Sequence, residues 1–183
     1  MTPEPILITG VARRVGLHLA RTFLERGIPV IGTYRSERAA LAELADAGVE
    51  LHRSDFYDES SVQALARAVL QRHGSLRALI HNASDWLAEG SGLPAGDVIW
   101  RMMQVHVSAP YQLNLALEPL LQACAEPHAD IIHVGDYVSS RGSSKHIAYA
   151  ASKAAQDNLT LSFSARLAPK VKVNSIAPAL VMF

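Results

Sequence analysis

ILITGVARRVG, residues 6–16, joins a short apolar run to a loop bounded by glycines and then to a helical pattern. Ile6, Leu7, Ile8 and Thr9 do not alternate with polar residues, which fits a strand covered on both faces. Gly10 follows at once, and Gly16 closes the loop. A glycine directly after a strand lets the backbone turn tightly and approach a diphosphate, whose charge then meets the N-terminus of the next helix. Turns need glycine for their own reasons, so the pair also fits an ordinary strand–helix corner.

The same alternation of elements continues outward from this corner. IPVIGTY (28–34), VELHRS (49–54), RALIHNA (77–83), ADIIHVG (129–135) and VKVNSIA (171–177) are further strand candidates. Helical patterns separate them, over about 15–26, 37–47, 58–73, 95–125 and 147–168. Apolar strands alternating with helices predict an α/β fold, a Rossmann-like doubly wound parallel sheet in the order 3-2-1-4-5-6. There is no internal repeat, linker or low-complexity segment, so residues 1–183 read as one NADP-binding domain. Only PALVMF follows the sixth strand, which predicts an open edge and an open substrate side.

Composition excludes several classes. Seventeen Lys and Arg balance seventeen Asp and Glu, so nothing points to nucleic acid or to a membrane surface. Cys124 is the single cysteine, which excludes an internal disulfide, and the eight histidines show no zinc spacing. MTPEPILITG lacks a basic region and a long apolar stretch, and no run is long enough to span a bilayer. These features predict a soluble cytoplasmic protein without a metal. His81, His106 and His133 read as satisfied core histidines.

The second strand ends in GTYRSE, placing Arg35 and Ser36 where an acid would otherwise receive a ribose 2′-hydroxyl. An acid repels a 2′-phosphate, whereas arginine binds it bidentately, and Arg13 in the first loop can reach the same group. NADPH is therefore the expected cofactor, against the alternative of a solvated arginine at a strand end. Later, HIAYAASK (146–153) sets Tyr149 and Lys153 on one helical face. Chance alone puts such a pair in about one chain in nine of this composition, so its context has to decide.

That context is specific. TGxxxxxG over 9–16, Asp55 after the third strand, Asn82-Ala83-Ser84 after the fourth and YAASK over 149–153 occur in one order. In this the chain resembles the short-chain dehydrogenase/reductase family across essentially its whole length. The resemblance implies that Asp55 contacts adenine and that Asn82, Ala83 and Ser84 line the cofactor cleft. It implies that Tyr149 is the general acid and Lys153 the ligand of the nicotinamide ribose. It also implies a homotetramer, and a further strand and lid that this chain lacks. An ammonium beside a phenol is expected to lower the phenol's pKa from about 10.

Three residues depart from the common pattern. Arg14 stands where the middle glycine of the loop is usual, Asp136 replaces the serine thirteen residues before the tyrosine, and His106 replaces a helix asparagine. Arg14 together with Asp136 is similar to the pteridine reductase branch of the family. A flat pterin would find polar partners in Arg14, Ser84 and Asp136 and a stacking surface in Trp86, although Trp86 also fits a core or interface role. The catalytic set is then Tyr149, Lys153 and Asp136. The expected reaction is NADPH-dependent reduction of a dihydropterin to its tetrahydro form, with weak action on dihydrofolate. The alternatives are a carbonyl reductase of the same family and a catalytically idle NADPH-binding protein.

Overall fold

The computed structural model describes residues 3–179 and 181. The N-terminal reading begins on Met1 and Thr2, and the segment after the sixth strand includes Leu180, Met182 and Phe183, all outside the described residues. The strands are β1 (Ile6–Ile8), β2 (Val30–Tyr34), β3 (Glu50–Arg53), β4 (Ala78–His81), β5 (Ala129–Val134) and β6 (Val171–Ile176). All pairings are parallel, and the order is β3-β2-β1-β4-β5-β6, as expected for a doubly wound sheet. The helices are α1 (Arg14–Glu25), α2 (Ala40–Asp46), α3 (Glu59–Arg72), α4 (Ala95–Met103), α5 (Ala109–Gln122) and α6 (Ile147–Leu167).

The period-2 pleat divides each central strand between two cores. Leu7, Ile31 and Leu79 join the layer formed with α3, α4, α5 and α6. Their neighbours Ile6, Ile8, Val30, Ala78 and Ile80 join the layer formed with α1 and α2. Each fully buried Leu or Ile removes apolar surface worth about 1.5–3 kcal/mol from water. Two-sided burial is the reason these strands read as unbroken apolar runs. β6 lies at the sheet edge: Val171 and Val173 are buried, whereas Ile176 is 60% exposed.

The expected helix over 95–125 is not continuous. Between α4 and α5, residues Gln104–Ser108 form a π-helical turn, with the Ala109 N–H bonded to the Gln104 carbonyl. Pro110 has no N–H to return to the carbonyl of His106, four residues back, so the regular ladder is already broken there. The slip turns His106 fully into the protein. Such turns are frequent at functional sites.

Candidate cofactor and substrate cleft

The carboxyl ends of the strands border a cleft of about 830 Å³. Gly10, Arg13 and Arg14 line it from the first loop, Arg35 and Ser36 from the end of β2, and Asp55 from the end of β3. Asn82, Ala83, Ser84 and Trp86 line it after β4, and Asp136, Tyr149 and Lys153 after β5 and on α6. Gly16 is the one predicted site residue that does not line it. It serves the loop from behind: an added Cβ would meet the Gly10 carbonyl oxygen at 2.1 Å and Asn82 Nδ2 at 2.6 Å. Asn82 is committed to the same task, donating from Nδ2 to the carbonyls of Thr9 and Gly10, each at 3.0 Å.

Arg14 has φ +52°, in the left-handed region that favours glycine. This explains why a glycine is usual at this point and shows that Arg14 is held there at a conformational cost of about 1–2 kcal/mol. Arg13, the N-cap of α1, gives no side-chain cap, and the first turn carries no acid. The N-terminal N–H groups of α1 are thus available to an anion.

At the β2–β3 end, arginine does not stand alone. Arg35 Nη1 lies 3.0 Å from Asp85 Oδ2, and the Tyr57 hydroxyl donates to the same oxygen at 2.7 Å. Arg35 and Arg101 each sit 5.3 Å from the Tyr57 ring centre, and Arg38 joins the lining. Burial disfavours charge on Asp85, yet the hydrogen bonds from Tyr57 and Arg35 hold its carboxyl below the usual range. Burial and the bond to Asp85 push the Tyr57 phenol up to about 12. The sequence reading missed Asp85, Tyr57 and Arg38.

At the β5–α6 end the polar groups are buried. Tyr149 donates its hydroxyl proton to Asp136 Oδ2 at 2.7 Å, while Asp136 Oδ1 accepts from the Val138 N–H at 2.9 Å. Lys153, only 2% exposed, donates to the Val134 carbonyl at 2.8 Å and to Gln156 Oε1 at 3.1 Å. An ammonium has three N–H bonds, so one is left for a ligand. Burial lowers the Lys153 pKa to about 8, against the opposing pull of Asp136 and Asp157. The Tyr149 pKa is raised, not lowered: burial and the bond to the Asp136 carboxylate favour the phenol, and the Lys153 ammonium, 5.8 Å from the ring centre, does not offset them. The expectation of a lowered phenol pKa is therefore corrected.

Two of the three histidines also need revision. His106 bridges the site, with Nε2 at 2.8 Å from Ser84 Oγ, Nδ1 at 2.8 Å from Ser152 Oγ, and its ring edge-on to Tyr149. His81 and His133 lie deeper, linked through Asn114 and ending on Thr160. Thr160 donates to the Gln156 carbonyl, so it accepts from His133 Nδ1, which in turn makes His133 Nε2 an acceptor from Asn114. Asn114 Oδ1 then accepts from His81 Nε2, leaving His81 Nδ1 as a buried lone pair without a partner. His81 is thus not fully satisfied. Burial lowers His81 to about 4 and His133 to about 2.

Trp86, 65% exposed, stacks on His146 with ring centres 4.1 Å apart, so one indole face is already covered and the other is open. The same loop docks on α6 through Glu89, whose carboxylate accepts from the N–H groups of Ile147 and Ala148 at 2.8 and 2.9 Å. Glu89 thereby caps a helix whose own N-cap, His146, contributes no side-chain bond.

Residues 4–182 match the family described as short chain dehydrogenase. The chain belongs to this family. Dihydromonapterin reductase of Klebsiella pneumoniae is 55% identical over 181 residues, spanning 99% of this chain and 75% of that protein. Its counterpart in Escherichia coli is 54% identical over the same shares. A short chain dehydrogenase from Shigella flexneri complexed with NADP has a TM-score of 0.86 at 25% identity, covering 98% of this chain and 78% of that one. The RhlG/NADP active-site complex from Pseudomonas aeruginosa has a TM-score of 0.87 at 26% identity, covering 100% of this chain and 74% of that one.

As a short chain dehydrogenase the chain is an oxidoreductase with a nicotinamide cofactor. The donor set fits one: uncapped N–H groups on α1, arginines at the β2 end and a buried ammonium with an N–H to spare. No helix among the described residues is long and apolar enough to cross a membrane, and no group of three His, Cys, Asp or Glu is placed to hold a metal.

Proposed function

We propose that this chain reduces a 7,8-dihydropterin with NADPH, with dihydromonapterin as the substrate class and dihydrofolate as a weak one. The observation that carries the reading is Asp136, an acceptor-only carboxylate bordering the cleft where the family's pattern has a hydroxyl. A carboxylate suits the N–H-rich edge of an amino-pyrimidine and repels a ketone oxygen. The identity to dihydromonapterin reductases supports the same reading.

NADPH, when bound, supplies the hydride. Arg13, Arg35 and Arg38 would meet its 2′-phosphate, with Ser36 beside them and Asp85 holding Arg35 in place. Gly10, Arg14 and the α1 N-terminus would face the diphosphate, Asp55 the adenine, and Lys153 the nicotinamide ribose. Asn82, Ala83 and Gly16 hold the loop that shapes this surface. Arg14, Ser84 and Asp136 would bind the pterin's polar edge, with the open face of Trp86 against the ring. Tyr149 holds a proton on its hydroxyl, oriented by Asp136, and is the general acid of this reading. We further propose a cytoplasmic homotetramer, supported by exposed Tyr111, Leu115 and Leu161 on α5 and α6, with sedimentation as its test.

The test is NADPH oxidation with dihydropterins and simple ketones side by side. Preference for ketones would replace this reading with carbonyl reduction. NADPH binding without turnover of either would leave a binding protein.

A further inference from the structure

Hydrogen-bond directions around His106 follow from proton counting. The Ser152 hydroxyl donates to the Tyr149 carbonyl at 2.7 Å, an oxygen with no proton to return. A serine hydroxyl has one proton. Toward His106 Nδ1, 2.8 Å away, Ser152 must therefore accept, and Nδ1 carries the ring hydrogen. Burial, with the Lys153 charge added to it, holds the His106 pKa well below its ordinary value, so the ring is neutral and has only that hydrogen. Nε2 is then a bare lone pair, and Ser84, 2.8 Å away, donates to it. The other acceptor within reach of Ser84, the Asp85 carbonyl, lies farther off at 3.4 Å.

We propose that His106 is a positioning residue that fixes the Ser84 hydroxyl as an obligate acceptor in the cleft, so that the ligand group facing Ser84 is an N–H or O–H donor. Ser84 is exposed to the cleft and has given its one proton inward. A ligand that offers only acceptors, such as a simple ketone, meets lone pairs on Ser84 and on Asp136 together. A ligand with an amino-pyrimidine edge meets two acceptors with donors. The identity of that ligand rests on the pterin reading; the direction of the Ser84 bond does not. The arrangement was hidden in the sequence because Ser84, His106 and Ser152 come from three separate segments joined by the π-turn.

Long-range ¹⁵N–¹H correlation NMR of the full chain, with and without NADP⁺, reads the tautomer directly. The expected result at neutral pH is a His106 ring protonated at Nδ1 alone, with an Nε2 signal that moves in Ser84→Ala. A ring protonated at Nε2, or at both nitrogens, overturns the proposal whatever the substrate proves to be. In turnover, the ratio of kcat/KM for a dihydropterin to that for a ketone should fall roughly tenfold in both Ser84→Ala and His106→Phe, the worth of one hydrogen bond. An unchanged ratio in a folded Ser84→Ala enzyme overturns it as well. If dihydropterins are not substrates at all, the functional reading fails while the tautomer still decides this one.

Discussion

At the β2–β3 end of the cleft, charge is held close to water; at the β5–α6 end it is held out of it. The Arg35 and Asp85 side chains remain 47% and 25% exposed, whereas Lys153 is 2% exposed and His106 fully buried. Near water, a charge pair gains about 1–4 kcal/mol of Coulomb energy and salt screens it. In the interior every donor needs a partner, and directions become fixed. The outer end is thus suited to tuning cofactor affinity, and the inner end to positioning a proton. Substitutions should be graded at the first and severe at the second.

The sharpest way to break this contrast is to remove an inner group. Lys153→Ala should lower kcat/KM by roughly a hundredfold or more, the usual loss for one buried electrostatic donor, and should weaken NADPH binding as well. Tyr149→Phe should lower kcat roughly a hundredfold while NADPH affinity, measured by fluorescence titration, stays near wild type. Unchanged turnover in Tyr149→Phe would remove it as the acid and leave water as the proton source.

Next in size, Asp136→Ser and Trp86→Ala should each lower dihydropterin kcat/KM about tenfold, from loss of a charge-assisted bond and of a stacking face. In Asp136→Ser the Tyr149 hydroxyl also loses its carboxylate partner, so its pKa should fall toward its ordinary value. At the outer end, Arg35→Asp should cut the preference for NADPH over NADH roughly tenfold or more, because two acids would then face the 2′-phosphate. Rising salt should weaken wild-type NADPH binding and have less effect in the variant. Equal affinity of the wild type for both cofactors contradicts the assignment.

The smallest effects are in pH dependence. Lys153 loses its charge as pH rises through about 8, so kcat/KM, which reports the free enzyme, should decline above that point. Below neutrality the buried histidines act on stability. His81 is depressed to about 4 from a model value of 6.5, so the unfolded chain binds its proton first. Their contribution is therefore present above pH 6.5 and is lost as pH falls toward 4, measurable as a declining urea midpoint. A midpoint flat over that window contradicts the buried network.

The fold was legible because two-sided burial leaves continuous apolar runs, and all six strands fall within the segments read from them. Residues at strand ends then converged on one cleft as the topology requires. What stayed hidden depends on contacts between distant segments: Asp85 meets Arg35 and Tyr57 only across the sheet edge, and Glu89 meets α6 only after the loop folds back. The π-turn had one local signal, Pro110 four residues after His106, which a continuous helical pattern masked. The Tyr149 shift was read with the wrong sign because Lys153 was counted and the closer Asp136 was not.

The most direct test of the central claim is the initial rate of NADPH oxidation with 7,8-dihydromonapterin against a panel of simple ketones at equal concentrations. The account predicts kcat/KM for the dihydropterin at least tenfold above every ketone, with a further loss of that margin in Asp136→Ser. Ketones reduced as well as or better than the dihydropterin would contradict it.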